Sequence, residues 1–145
     1  MFKKLAYIFL TFLLSGCGAS LPPRPNIDGP IQTLGGGFLV KSGKLKYGLT
    51  YQSKSLIDPV YAVAEFESPI NPNSPLRSDM GKLDLNKEII VQSPAFGEIK
   101  NNENYNVTLY LYSDESKTKL IHKHTDQIQF SMPISMIRKI GIKEL

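Results

Sequence analysis

Residues 99–112 read IKNNENYNVTLYLY, and the second half of this stretch decides the fold. Tyr105, Val107, Leu109 and Leu111 share one parity; Asn106, Thr108, Tyr110 and Tyr112 share the other. A period of two with one apolar side predicts a half-buried antiparallel strand. Asp114-Glu115-Ser116-Lys117 follows as a hairpin turn and leads to a further strand beginning at Thr118, which Gln127 to Met132 continues or follows. The same alternation marks Leu45, Tyr47, Leu49 and Tyr51. Val60 to Glu67 is apolar on both parities early, as expected of a central strand. Glu88 to Gln92 is a short strand, and Phe38 to Lys41, after Gly35-Gly36-Gly37, a weaker one. Pro133 to Leu145 admits two readings: Ile134, Ile137 and Ile140 suit a short helix, Ile140 and Ile142 a strand. About seven short strands divided by turn signals predict a β-sandwich.

Ile99, the polar turn Lys100 to Asn104, and then Tyr105-x-Val107-x-Leu109-x-Leu111 resemble the tyrosine corner of immunoglobulin-like and fibronectin type III domains. The resemblance implies that Tyr105 opens the penultimate strand, that its hydroxyl bonds the upstream backbone, and that Thr118 onward is the final strand. It covers about a third of residues 17–145. The Cys…Trp…Cys hallmark of antibody domains is absent, since the chain has one cysteine and no tryptophan. The expected fold is an immunoglobulin-like or fibronectin type III-like antiparallel β-sandwich.

The N-terminus places this domain. Lys3 and Lys4 precede an apolar run, Leu5 to Leu14, too short to span a bilayer, and Leu14-Ser15-Gly16-Cys17 follows. The pattern resembles the lipobox of bacterial lipoproteins. That resemblance implies cleavage before Cys17, a diacylglycerol thioether on its sulfur and an N-acyl chain on its new amine, with no other cofactor. Two or three acyl chains hold firmly where one does not. Gly18, rather than Asp, follows the cysteine, which by the same resemblance favours the outer membrane, facing the periplasm. The expected organisation is a signal peptide at 1–16, a lipidated cysteine with a Pro/Gly-rich tether at 17–32, and the sandwich at 33–145. Losing Lys3 and Lys4 with the leader takes the formal charge from +4 to +2, which argues against an electrostatic nucleic-acid binder. With Cys17 consumed, the domain has no disulfide and no thiol nucleophile.

Four features are candidates for function. His122, His124 and Asp126 fall at i, i+2 and i+4 of one strand, so two imidazoles and a carboxylate share a face, a donor set suited to a transition metal. If Ser113 pairs with Thr118, Leu109 faces His122, Val107 faces His124, and both histidines point into the core; a slip of one residue turns them to solvent. The alternative is a polar strand end. Ser68 to Asn86 reads as a long connection without a clear strand, with Pro69, Pro72 and Pro75 on one face of a polyproline II helix. It is either a partner-binding loop anchored by Leu76 and Arg77 or a crossover between sheets. Tyr110 and Tyr112 form an exposed pair, for recognition or for cross-strand packing. Lys41, Lys44, Lys46 and Lys54 face either anionic headgroups or plain solvent. Glu65 and Glu67 share a strand parity, but no GxSxG, HExxH, P-loop or dinucleotide motif accompanies them, and no catalytic residue is assigned. The expectation is a non-enzymatic, lipid-anchored domain that binds or positions an envelope protein. A metal-binding module is the first alternative and a small envelope enzyme the second.

Overall fold

The computed structural model describes residues 21–145; the leader and Cys17 lie outside the described residues. Seven strands build two facing sheets. β1 (Ile31–Lys41), β2 (Lys44–Ser53) and β5 (Ile89–Gln92) form one, in the order β1-β2-β5. β3 (Tyr61–Phe66), β4 (Leu76–Lys82), β7 (Glu103–Tyr112) and β8 (Leu120–Phe130) form the other, in the order β4-β3-β7-β8. All pairings within both are antiparallel. A short parallel pair, β6 (Glu98–Ile99) with β9 (Lys143–Glu144), closes one end beside helix α1 (Ile134–Ile140). This is the expected all-β antiparallel sandwich, with two strands of two residues added to the expected seven or so. Among the described residues no helix is long and apolar enough to cross a membrane.

The alternating residues do what their parity requires. Leu45, Tyr47, Leu49 and Tyr51 of β2 and Tyr105, Val107, Leu109 and Leu111 of β7 point inward and are buried. Burying a side chain of this size stabilises by roughly 1.5–3 kcal/mol, and the layer between the sheets is built almost wholly from such residues. β3 lies between β4 and β7, and Ala62, Val63 and Ala64 are buried in succession, as expected of a central strand. At one end of the core Phe38, Tyr47, Phe96, Tyr105 and Phe130 pack ring on ring, with Phe38 edge-on to Phe130 at 5.3 Å. The tyrosine corner is formed: the Tyr105 hydroxyl donates to the Lys100 carbonyl at 2.8 Å and accepts from the Lys100 amide at 3.0 Å.

Four expectations are corrected. Ser68–Asn86 is not a strandless connection, because Leu76–Lys82 is β4, paired with β3; a bulge between Ala62 and Val63 and glycine at Gly81 obscure its alternation. Pro69 to Pro75 is not a polyproline II helix. Ser74 donates to the Asn71 carbonyl at 3.0 Å, and Asn71 Oδ1 accepts from the Asn73 amide at 3.1 Å, so the prolines sit in turns whose internal bonds polyproline II lacks. β1 is one strand from Ile31 through the glycine triplet, so the fold begins before Thr33, and Ile31 is fully buried. In β7–β8, Leu111 faces His122, Leu109 faces His124 and Val107 faces Asp126, two residues from the expected register. A five-residue bonded turn, with Ser113 donating to the Lys119 carbonyl, and a bulge beside Tyr112 make that difference; an even shift keeps the histidines on the core side. At the C-terminus the helix reading holds: α1 carries Ile134, Ile137 and Ile140 and ends at Gly141 in the left-handed conformation, and Ile140 and Ile142 form no strand, β9 beginning only at Lys143.

Candidate functional site

The His-x-His-x-Asp strand is the most connected polar feature of the interior. β8 sends His122, His124 and Asp126 inward, and β1 crosses opposite them. A bulge between Thr33 and Gly35 sets Thr33 facing the core at the point where Asp126 arrives. The Thr33 hydroxyl donates to Asp126 Oδ2 at 2.6 Å. Its single proton thus committed, Thr33 Oγ1 accepts from His124 Nε2 at 2.7 Å, which fixes His124 as the tautomer protonated at Nε2. The same nitrogen lies 3.4 Å from Asp126 Oδ2.

The second carboxylate oxygen holds the N-terminal segment. Asp126 Oδ1 accepts from the Asn26 amide at 2.8 Å, the Asn26 side chain donates to the Thr125 carbonyl, and the Thr33 amide donates to the Asn26 carbonyl. Further on, the Ile27 carbonyl accepts from Lys54 Nζ and the Pro30 carbonyl from the Lys54 amide. Gly29 adopts φ +87° against the His122 ring, and a Cβ there would lie 2.9 Å from His122 Cε1. Residues 26–30 of the expected tether are therefore part of the domain. Burial alone would raise the Asp126 carboxyl; the adjacent His124 ring and the hydrogen bonds from the Thr33 hydroxyl and the Asn26 amide outweigh it and hold the group below its ordinary value of 3.8. Burial, then the neighbouring His124, lower the His122 imidazole from its ordinary 6.5.

Two buried atoms in this network have no hydrogen-bond partner among the described residues, His124 Nδ1 and the Tyr51 hydroxyl. The Tyr51 ring stands edge-on to His124 at 5.7 Å, and burial, then Asp126, push its hydroxyl far up. Among the described residues no group of three His, Cys, Asp or Glu is arranged to hold a metal ion. His124 Nε2 and both Asp126 oxygens are already bonded to protein.

The other expected residues divide. On the outer face of the four-stranded sheet Arg77 lies 3.6 Å from Glu65, the Tyr110 hydroxyl is within electrostatic reach of Glu65, and Lys123 stands over the Tyr110 ring at 5.6 Å. Burial, then Glu65, raise the Tyr110 hydroxyl. Tyr112 follows two residues on along the same parity. Leu76 is not with them; it packs half-buried on the core. Glu65 and Glu67 line an open groove of about 350 Å³ with Pro72 and Pro75, but Glu67 accepts the Asn106 amide and Glu65 is paired with Arg77. Sequence reasoning missed Thr33, Asn26 and Tyr51. Their roles depend on the β1 bulge and on the path of a proline-rich segment, neither of which leaves a local pattern. No protein-family model and no curated protein matches the chain.

Proposed function

We propose that this chain is a lipid-anchored cell-envelope lipoprotein whose β-sandwich binds or positions an envelope partner and catalyses no reaction. The order of segments carries the reading. A lipobox-like Leu14-Ser15-Gly16-Cys17 is followed within ten residues by Asn26, which is hydrogen-bonded to the sandwich at Asp126 and Thr125. An anchor joined so closely to a rigid β-domain suits a protein that presents a surface at a fixed height and orientation. Gly18 favours the outer membrane, facing the periplasm. The presented surface is the outer face of β4-β3-β7-β8, where Arg77, Glu65, Tyr110 and Lys123 meet; aromatic and arginine side chains of this kind are enriched at binding interfaces.

Crosslinking in intact cells, followed by capture of the protein, tests this. One envelope component is expected with the wild type, less of it with Arg77→Ala or Tyr110→Ala, and none with Cys17→Ala. Equal recovery from all four, or none from the wild type, contradicts the reading. Metal binding through His124 Nε2 and Asp126 would require these groups to leave Thr33 and Asn26. Zinc is accordingly expected to leave the melting temperature unchanged, and a rise would reinstate the metal-binding alternative.

A further inference from the structure

We infer that one end of the sandwich is a foot that rests on a bilayer bearing anionic headgroups; this deepens the lipid-anchor proposal and rests on it. The path of the N-terminal segment identifies the end. Asn26 is fixed at Thr125 and Asp126. After it the chain runs toward His122, which Gly29 approaches. Before it, Pro22, Pro23 and Pro25 share a groove of about 260 Å³ with Gln127, Ile128 and Ser131. The segment thus runs antiparallel to β8, and Pro22 lies toward the end where β8 passes into α1. Cys17 is five residues away, which whatever their conformation reach at most about 18 Å. The anchor therefore draws this end, and not the opposite one, toward the membrane.

The chemistry of that end fits a lipid surface. The β1–β2 turn and α1 meet there: a Cβ at Gly43 would lie 3.5 Å from the Gly141 carbonyl oxygen. The turn contributes Lys41, Lys44 and Lys46, and the last turn of α1 contributes Arg138 and Lys139. All five are exposed, and none forms an ion pair among the described residues. The acids nearby are Glu98, paired with Lys143, Glu103, paired with Lys100, and Glu144. Apolar side chains stand among the cations. Leu39 and Ala95 line a largely apolar groove of about 450 Å³ with the three lysines, and Ile134 and Met136 are 52% and 48% exposed on α1. Cations interleaved with exposed aliphatic groups are what a headgroup layer accepts. A contact too weak to hold a free protein suffices here, because a linker this short keeps the foot at an effective concentration on the order of millimolar.

The lipidated chain, reconstituted into vesicles of phosphatidylethanolamine and phosphatidylglycerol, tests this. The only native cysteine carries the lipid, so Met136→Cys on the foot or Ser116→Cys in the far hairpin takes a fluorophore alone. Quenching by headgroup-nitroxide lipid is expected at position 136 and not at 116. Exchanging Lys41, Lys44 and Lys46 for Gln should weaken the contact about fivefold per lysine, as should phosphatidylcholine in place of the anionic lipid. About 1 M salt, where screening acts over about 3 Å, should abolish it. Equal quenching at 136 and 116, or quenching at 136 indifferent to charge, overturns the foot. The mass of the Cys17 peptide from the same sample separates the two ideas. A lipidated Cys17 with no preference for 136 refutes the foot alone, and an unlipidated Cys17 refutes the anchor.

Discussion

Asp126→Asn tests the interior network most sharply. At neutral pH the carboxylate accepts from Asn26 and Thr33 inside the sandwich, with His124 Nε2 3.4 Å away. Asparagine keeps an oxygen for the Asn26 amide but turns an NH₂ toward Thr33, which already donates at that position and accepts from His124. Turning the Thr33 hydroxyl or switching the His124 tautomer relieves one clash and leaves another buried donor without an acceptor. Two charge-assisted bonds reduced to neutral ones, at about 1 kcal/mol each, and one unsatisfied donor, at about 1–3 kcal/mol, give a loss of about 3–5 kcal/mol. The pH dependence supplies a second handle. Asp126 has a lower pKa folded than unfolded, so its contribution is full above about 3.8 and is lost as pH falls through the folded value. Urea denaturation of both proteins across that range should show a wide stability gap near neutrality that narrows in acid. Equal midpoints at neutral pH, or a gap unchanged in acid, would refute the network as described.

Other substitutions separate neighbouring parts of the account. Tyr105→Phe retains the ring and removes both bonds to Lys100, so chemical denaturation should show a loss of about 1–3 kcal/mol. Tyr51→Phe should be neutral or stabilising in the same assay, because it deletes a buried hydroxyl with no partner; a loss above about 1 kcal/mol would mean that the hydroxyl is engaged. Gly29→Ala sets a side chain in left-handed backbone against His122 and should cost about 1–2 kcal/mol, with faster amide exchange at Asn26 if the pinned segment loosens.

How much of this was legible depended on the range of the signal. Alternation in Leu45–Tyr51 and Tyr105–Tyr112 needs only the two-residue period of a strand, and it located the central strands and the tyrosine corner. β4 escaped because a strand bulged against its neighbour and carrying Gly81 loses strict parity. The inward direction of His122 and His124 was legible because the true register differs from the expected one by two; its value hung on a turn and a bulge that local composition does not encode. The partners of His124 and Asp126 were not legible. Thr33 and Asn26 lie 91 and 100 residues away from them in sequence, and only the packing of β1 and the proline segment on β8 brings them together. Gly36 records that packing: a Cβ there would lie 3.0 Å from Leu49 Cγ and 3.2 Å from Ile128 Cδ1, so the glycine admits the close approach of two sheets.

The central claim, a sandwich fastened to the envelope by lipid on Cys17, is tested most directly by the mass of the N-terminal peptide of the protein purified from membranes. The account predicts a chain that begins at Cys17 and carries a diacylglyceryl thioether with an acylated amine. A chain beginning elsewhere, or a Cys17 with a free thiol, would contradict it.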